Sequence, residues 1–280
     1  MDLAALGGLA LAILMVVGAI VVEAGGDFGQ LAAYLPTQGP IAGAWMLVVG
    51  GTLAASIVTA PLSGVIALPK AILRTLMPGS HETAADLAAL FVRLSEKARR
   101  EGLLSLEEEE GAIHDEFMRK GMQQVVDGTD PEVIRQILEI DIQEMVRRHS
   151  VAQAFLTQAG GFAPTFGIIG TVSSLIAVLA HLDPAAGQEA LAASISAAFI
   201  ATFLGLATAN LIFLPLAEKM KENTAHEVAL RNMMIENILA VQSGDNPRLV
   251  FEKLEGFLAP SERAAARARA EGGGGQAAAA

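Results

Sequence analysis

Hydroxyl side chains and prolines occur in two long apolar stretches of this chain, at about residues 155–180 and 190–217. Neither stretch contains Asp, Glu, Lys, Arg or His. A hydroxyl can replace water around a cation, and so can the carbonyl that a proline frees four residues earlier in a helix. The candidate hydroxyls are those of Thr171, Ser174 and Thr202, and Pro164 and Pro215 would free the carbonyls of Gly160 and Leu211. These residue types indicate a path for a partly dehydrated cation.

The same residues also have plainer interpretations. A proline can simply kink a helix, and a threonine can bond to a carbonyl of its own helix. Because neither stretch has an ionisable group, the chain is either a passive scaffold or a polar sleeve around a partner helix that carries the carboxylate. The hydroxyls and prolines favour the second alternative, in which the chain forms a polar sleeve around a partner helix. Small residues at helical spacing would let the helices pack closely, and these are Gly167, Ser194, Ala198, Gly205 and Ala209.

Four apolar segments are predicted to cross a membrane, since about 20 apolar residues span a hydrocarbon core of about 30 Å. Between the second and third segments the chain becomes charged, and its apolar residues recur at a helical period. The predicted fold class is therefore all-α: a polytopic membrane protein with four transmembrane helices and a cytoplasmic helical domain. The four segments cover about residues 3–22, 40–62, 155–180 and 190–217.

The predicted domain limits follow these changes in composition. The first two transmembrane helices and their short outer loop occupy residues 1–69, and the cytoplasmic helical domain occupies residues 70–150. The third and fourth transmembrane helices occupy residues 151–217. Cytoplasmic C-terminal helices follow over residues 218–260, and an Ala- and Gly-rich tail over residues 261–280 is expected to be disordered.

Local signals predict how the cytoplasmic helices begin. Ser105 with Glu108 fits a capping box, and residues 129–132 fit another with Pro131 in the first turn. No helix breaker occurs in residues 148–155. The helix that starts near Pro131 is therefore expected to continue into the third transmembrane segment.

The distribution of Lys and Arg predicts the orientation in the membrane. All 19 lie either between residues 70 and 148 or between residues 219 and 269. None lies in the two short loops that join the first to the second and the third to the fourth apolar segment. Both basic segments and both termini are therefore expected in the cytoplasm.

Composition excludes several classes of function. The formal net charge of −11 argues against a nucleic-acid partner. The chain has no cysteine, and its five histidines form no metal-binding or catalytic motif. The chain is not expected to be an enzyme or to hold a metal or a cofactor.

Several motifs resemble the MotA/PomA family of flagellar stator A subunits, and the resemblance covers about residues 1–260. One is the run Arg-Arg-Glu-Gly-Leu-Leu-Ser-Leu-Glu at residues 99–107, and another is Ala-Pro-Thr-Phe-Gly-Ile-Ile-Gly-Thr at residues 163–171. The other matching segments are residues 49–52, 198–205, 210–217 and 242–248.

The resemblance implies a homopentamer of A subunits around a dimer of B-subunit helices in the lipid bilayer of the bacterial inner membrane. It implies that cations, Na⁺ or H⁺, pass at that interface through an aspartate of the B subunit. The A ring would then drive the rotor through its switch protein FliG.

Residue by residue, Arg99 and Glu107 match the charged positions that engage the rotor, and Arg100 could share the role of Arg99. Pro164 and Pro215 match the two prolines that couple ion passage to conformational change. A further match is Thr202, at the family's hydroxyl near the ion site.

The resemblance slightly favours sodium over protons, because Thr171 falls where sodium-type members tend to have threonine. Two features depart from the family pattern: Ser173 with Ser174, and the long outer loop that contains residues 34–40. The alternative is a TolQ/ExbB-like ion-driven energiser, although such proteins have three spans. A transporter would predict inverted repeats and an intramembrane charge, and neither is found.

Overall fold

The computed structural model describes residues 3–23, 34–35, 39–77, 84–180, 187–256 and 263. Every regular element in this part of the chain is helical, which confirms the predicted all-α class. The predicted outer loops and C-terminal tail lie almost entirely outside the described residues.

The helices follow one another along the chain with few long connections. The first five are α1 (Leu3–Glu23), α2 (Gly39–Trp45), α3 (Gly51–Thr59), α4 (Leu62–Leu76) and α5 (Ala84–Glu101). The next five are α6 (Glu116–Val126), α7 (Pro131–Ala180), α8 (Gly187–Ala207), α9 (Leu214–Gln242) and α10 (Pro247–Glu255). A 3₁₀ helix covers Leu103–Ala112, and π-helical turns cover Met46–Gly50 and Thr208–Phe213.

The chain divides into two compact units. We call Met1–Gly79 with Arg148–Asn223 the apolar unit, and Ser80–Arg147 with Thr224–Ala280 the charged unit. Because α7 and α9 each contain a boundary between these ranges, both helices contribute residues to both units.

All four predicted apolar segments are helical. Among the described residues, three helices are long and apolar enough to cross a membrane, and they include Ile41–Thr59 and parts of Pro131–Ala180 and Ile195–Gln242. The segment Leu6–Val22 forms a shorter apolar helix. The helices are consistent with the predicted four spans.

Prolines set the ends of two helices, as the sequence predicts. The second apolar helix ends at Thr59, and Ala60 and Pro61 are extended before α4 begins at Leu62. Pro131 is the first residue of α7, which continues without a break to Ala180. Proline is favourable at that first position because its missing N–H has no partner within the helix.

The charged unit has a core of large apolar side chains from five α-helices and the 3₁₀ helix. Within each helix these residues recur at helical spacing, so that they form one buried face. Glycine at position 121 of α6 allows Leu138 and Ile238 to approach its backbone, because a Cβ there would lie 2.5 Å from the Ile238 side chain. The core includes Phe91 and Leu94 of α5, Met118 of α6, Leu138 and Met145 of α7, Met233 and Ile238 of α9, and Leu254 of α10.

The predicted capping box at Ser105 is wrong. Ser105 lies inside the 3₁₀ helix, and its hydroxyl donates to the Gly102 carbonyl at 2.7 Å. Gly102 has φ +88°, a conformation that glycine adopts readily and other residues rarely do. This turn ends α5 and restarts a helix two residues before Ser105, which places Glu107 in the middle of the 3₁₀ helix rather than in a first turn.

The cap of α7 is also one residue later than predicted. The Glu132 N–H donates to Asp130 Oδ1 at 2.9 Å, so Asp130 rather than Thr129 supplies the capping oxygen. The Thr129 hydroxyl instead bonds to the Gln124 side chain at 3.1 Å. Both residue types cap helices well, and the sequence alone could not decide between neighbours.

Candidate functional site

Helices α7 and α8 touch along their backbones in the apolar unit. A Cβ on Gly167 would lie 2.9 Å from the Ala201 carbonyl oxygen, and a Cβ on Gly205 would lie 2.5 Å from the Ala163 carbonyl oxygen. Only glycine allows so close an approach at these two positions. The small-residue faces predicted from the sequence therefore pack against each other.

The two predicted ion-path threonines meet at this contact. The half-buried hydroxyls of Thr171 and Thr202 are hydrogen-bonded directly to each other. Thr171 Oγ1 also lies 3.1 Å from the Gly167 carbonyl oxygen and 2.9 Å from that of Ala198. The first of these carbonyls belongs to its own helix and the second to α8, so the hydroxyl is placed both for back-bonding and for a contact across helices.

The result is a cluster of four oxygen atoms, two from hydroxyls and two from carbonyls. Thr171 has one hydroxyl proton, which can be donated to only one of its three oxygen neighbours at a time. Neutral oxygens of this kind are suitable ligands for a hard monovalent cation. They do not neutralise its charge, and residues 155–180 and 190–217 contain no ionisable side chain that could do so.

Ser174 does not join this cluster. It lies one turn after Thr171 on α7, half-buried, and the described structure contains no hydrogen bond from it to either threonine. Ser173, its neighbour, is exposed. The structure therefore brings together two of the three predicted hydroxyl residues.

The two predicted coupling prolines occupy different helical environments. Pro164 lies inside the continuous helix α7. Pro215 is the second residue of α9, directly after the π-helical turn Thr208–Phe213. The regions around them are in contact, because a Cβ on Gly160 would lie 2.5 Å from the side chain of Leu214.

A second set of predicted residues lies on the surface of the charged unit. Arg99 and Arg100 are exposed at the end of α5, and Glu107 is exposed on the 3₁₀ helix. Within the part of the chain that the structure describes, none of the three takes part in an ion pair or hydrogen bond. These side chains are therefore available to a partner.

Their neighbour Lys97 is occupied instead. Its ammonium group lies 3.0 Å from Glu108 and 3.1 Å from Glu109. Hydrogen bonds to these two carboxylates raise the pKa of Lys97. These two ion pairs connect α5 to the 3₁₀ helix. In the described structure Lys97 is therefore engaged within the chain, whereas Arg99, Arg100 and Glu107 are not. The sequence alone did not reveal this difference.

Two features of the apolar unit were missed by the sequence reasoning. Thr52 and Ser56 of α3 are fully buried, and the Ser56 hydroxyl donates to the Thr52 carbonyl at 2.8 Å. Their spacing of four residues was the signal available for a shared buried face. The π-helical turns gave no such signal, although π-helical turns are frequent at functional sites.

No group of three His, Cys, Asp or Glu side chains that could hold a metal ion occurs in the described ranges.

Comparison with known proteins identifies relatives over most of the chain. A profile of the MotA/TolQ/ExbB proton channel family matches residues 109–233. Motility protein A of Borreliella burgdorferi is 43% identical over 178 residues, which are 64% of this chain and 67% of that protein. Motility protein A of Bacillus subtilis is 35% identical over 218 residues, 78% of this chain and 80% of that protein.

Two solved structures share the fold. The structure of C. jejuni MotAB matches with a TM-score of 0.82 at 28% identity, over 93% of this chain and 97% of that one. The flagellar MotAB stator complex from Bacillus subtilis matches with a TM-score of 0.81 at 34% identity, over 92% of this chain and 96% of that one.

Proposed function

Because the chain belongs to the MotA/TolQ/ExbB proton channel family, we propose that it is the A subunit of a flagellar motor stator. With a B subunit it forms a cation channel that converts ion-motive force into torque on the flagellar rotor. The reaction is transport, so the chain needs no cofactor beyond the cation itself.

The observation that carries this proposal is the Thr171–Thr202 oxygen cluster, which lies in apolar stretches without an ionisable residue. A cation leaving water needs a compensating negative charge in a low-dielectric region. A carboxylate from a partner helix beside the cluster would supply that charge. The matched structures are described as MotAB, which supports a MotB-type B subunit as the partner.

The proposed assembly is a homopentamer of this chain around the B-subunit dimer, in the bacterial inner membrane with both termini in the cytoplasm. The distribution of Lys and Arg supports the orientation, because all of them fall in the segments placed inside.

The proposed rotor contact uses Arg99, Arg100 and Glu107, with the switch protein FliG as partner. Their exposure and lack of ion pairs in the described structure support this role. Exposed charges form and break contacts rapidly in water, which suits an interaction that is renewed at each step of rotation.

Sodium is the favoured ion. A metal cation requires several oxygen ligands at once, and the cluster offers two hydroxyls and two carbonyls at one point. A relayed proton needs a titratable group or a water chain and gains little from such a cluster.

The test is restoration of motility. The chain would be expressed with the B subunit encoded beside it in a motile strain that lacks stators, and swimming speed would be measured against sodium concentration at fixed pH and ionic strength. Speed that rises and saturates with sodium is the expected result.

Two other results would change the account. Sodium-independent swimming that a protonophore abolishes would keep the stator role and overturn the sodium assignment. Absence of swimming despite good membrane expression and co-purification with the B subunit would favour a TolQ/ExbB-like energiser of another envelope machine.

A further inference from the structure

An aromatic contact connects the outer part of the apolar unit to the helix that carries Thr202. The Tyr34 ring packs edge-on against the ring of Phe203, with 5.3 Å between centroids and 65° between planes. Phe203 directly follows Thr202 in α8. Tyr34 belongs to the outer-loop sequence that departs from the family pattern, and the proposed function gives it no role.

A hydrogen bond also holds the backbone of Tyr34. The indole N–H of Trp45 donates to the Tyr34 carbonyl at 2.9 Å. Trp45 is the last residue of α2, and both aromatic residues pack against a buried cluster between α2 and α8. That cluster consists of Ile41, Ala44, Val48, Ile200, Ala201 and Leu204.

The same segment of α8 also contacts α7. The Ala201 side chain lies against Gly170 of α7, since a Cβ added to Gly170 would lie 2.8 Å from the Cβ of Ala201. Thr202 is bonded to Thr171, also on α7. Residues 200–204 thus contact both α7 and the cluster on α2, and they connect the Tyr34–Phe203 contact to the Thr171–Thr202 hydrogen bond.

We propose that Tyr34, Trp45 and Phe203 form an aromatic clamp that holds Thr202 in the position where its hydroxyl completes the oxygen cluster with Thr171. Tyr34 is therefore a positioning residue that sets the apparent affinity for the transported cation. This inference rests on the proposed function, because it assumes that the cluster lies on the cation path.

The physical reason is a shift in population. If the clamp is weakened, α8 spends less time in the arrangement that brings the two hydroxyls together. The apparent dissociation constant rises in inverse proportion to the fraction of competent molecules. An aromatic pair of this geometry is strong enough for an effect of about two- to tenfold.

The test separates affinity from assembly. In stator-deficient cells that carry the B subunit, the concentration of driving cation that gives half-maximal speed would be measured for Tyr34→Ala and Tyr34→Phe. Tyr34→Ala should raise it about two- to tenfold with maximal speed retained, and Tyr34→Phe should match the wild type because the ring remains. Leu35→Ala is the matched control, since Leu35 is half exposed beside Tyr34.

A double-mutant cycle tests whether the ring contact is the cause. Phe203→Leu should raise the half-saturating concentration as Tyr34→Ala does, and the double variant should show no further increase. Fully additive effects would contradict the clamp. So would an unchanged or lower half-saturating concentration in Tyr34→Ala, or a loss confined to protein abundance or maximal speed. Where Tyr34→Ala fails to accumulate in the membrane, Tyr34→Leu replaces it.

A measurement without torque distinguishes this inference from the proposed function. Trp45 is the only tryptophan of the chain, and its indole is part of the clamp. In the purified full-length chain with its B subunit, sodium or pH titration should change the Trp45 emission, with the midpoint shifted by Tyr34→Leu. If the wild type gives no torque but Tyr34→Leu shifts this midpoint, the stator role is rejected and the clamp is kept. If the wild type swims and Tyr34→Leu does not shift the midpoint, the clamp is rejected.

Discussion

At the scale of single residues, the proposed function depends on a few side chains, and most of their neighbours stabilise the fold. Thr171 and Thr202 provide oxygens without charge, and Arg99 and Glu107 provide charge without partners in the described structure. The chain thus separates the site that would hold an ion from the site that would transmit force. We therefore expect that a substitution in one set will leave the other set unchanged.

Reversal of one surface charge should impair the rotor contact alone. Glu107→Lys should at least halve swimming speed, because it places a cation where the proposed contact needs an anion, while membrane abundance and co-purification with the B subunit stay normal. Glu252→Lys, at another exposed glutamate of the charged unit, is the control and should swim normally. Equal effects of the two variants would show that net charge matters and that the position of Glu107 does not.

A single methyl group should disrupt the contact between α7 and α8. Gly205→Ala would place a Cβ 2.5 Å from the Ala163 carbonyl, and a backbone atom cannot move away at little cost. The expected loss of stability is about 1–3 kcal/mol, seen as a lower thermal unfolding midpoint of the detergent-solubilised chain. Gly161→Ala, where a Cβ would meet nothing within 4 Å of the chain, should leave the midpoint unchanged.

A carboxylate near the C-terminus should make a small, pH-dependent contribution to stability. The Lys253 ammonium, 2.8 Å away, and the Ser243 hydroxyl lower the pKa of Asp245. Because the folded form has the lower pKa, the stabilisation is complete above the unfolded pKa of about 3.9 and is lost as the pH falls through the folded value.

Asp245→Asn should therefore lower stability at pH 7 by up to about 1 kcal/mol, as expected for an exposed pair. The difference from the wild type should shrink below about pH 4. Thermal unfolding of both proteins at pH 7 and pH 3 checks this, and a difference that grows on acidification would contradict the assignment.

At the scale of helices, the sequence determines where the long apolar helices lie but not which of their turns are α-helical and which are π-helical. Hydropathy located the apolar segments, and the absence of a breaker predicted the continuous helix Pro131–Ala180. The π-helical turns at Met46–Gly50 and Thr208–Phe213 could not be predicted, because neither segment has a local pattern that distinguishes a π-helical turn from an α-helical one.

The end of α5 shows a second limit of sequence reasoning. A capping box at Ser105 was locally reasonable, yet the left-handed turn at Gly102 determines the path of the chain there. The candidate site also combines a part that the sequence predicts with a part that it does not. Sequence spacing selected Thr171 and Thr202, while their mutual hydrogen bond depends on the register between α7 and α8, which no local pattern encodes.

The start of α6 offers a clear test of a local interaction. Asp115 Oδ1 accepts a hydrogen bond from the Met118 N–H at 2.8 Å and caps the helix. Asp115→Ala should destabilise the first turn by about 1 kcal/mol, which would speed amide hydrogen exchange there about fivefold. Asp127→Ala, at the opposite end of α6, should leave that exchange unchanged; comparable acceleration in both variants would mean that Asp115 does not act as a cap.

At the scale of the whole molecule, the chain combines spans without ionisable groups in their apolar stretches with a charged helical unit. In the proposed function, the first property calls for a partner that supplies a carboxylate, and the second would provide a surface for the rotor. Neither property alone would indicate a motor component. Their combination in one family member explains why this chain is expected to work only as part of a complex.

If cations pass at the Thr171–Thr202 hydroxyl pair, removing one of the two hydroxyls should weaken ion-driven torque, and Thr202→Val makes that change. Valine preserves the shape of threonine and removes the hydroxyl. Thr208→Val is the matched control, because that hydroxyl bonds only to carbonyls of its own helix, at 2.7 Å and 3.2 Å, in the described structure.

The decisive experiment records bead rotation in stator-deficient cells that express the B subunit with each variant, across sodium concentrations. Thr202→Val should lose most torque or need at least about tenfold more cation, Thr202→Ser should retain function, and Thr208→Val should behave as the wild type. Full torque in Thr202→Val with an unchanged cation requirement would show that cations do not pass at the hydroxyl pair.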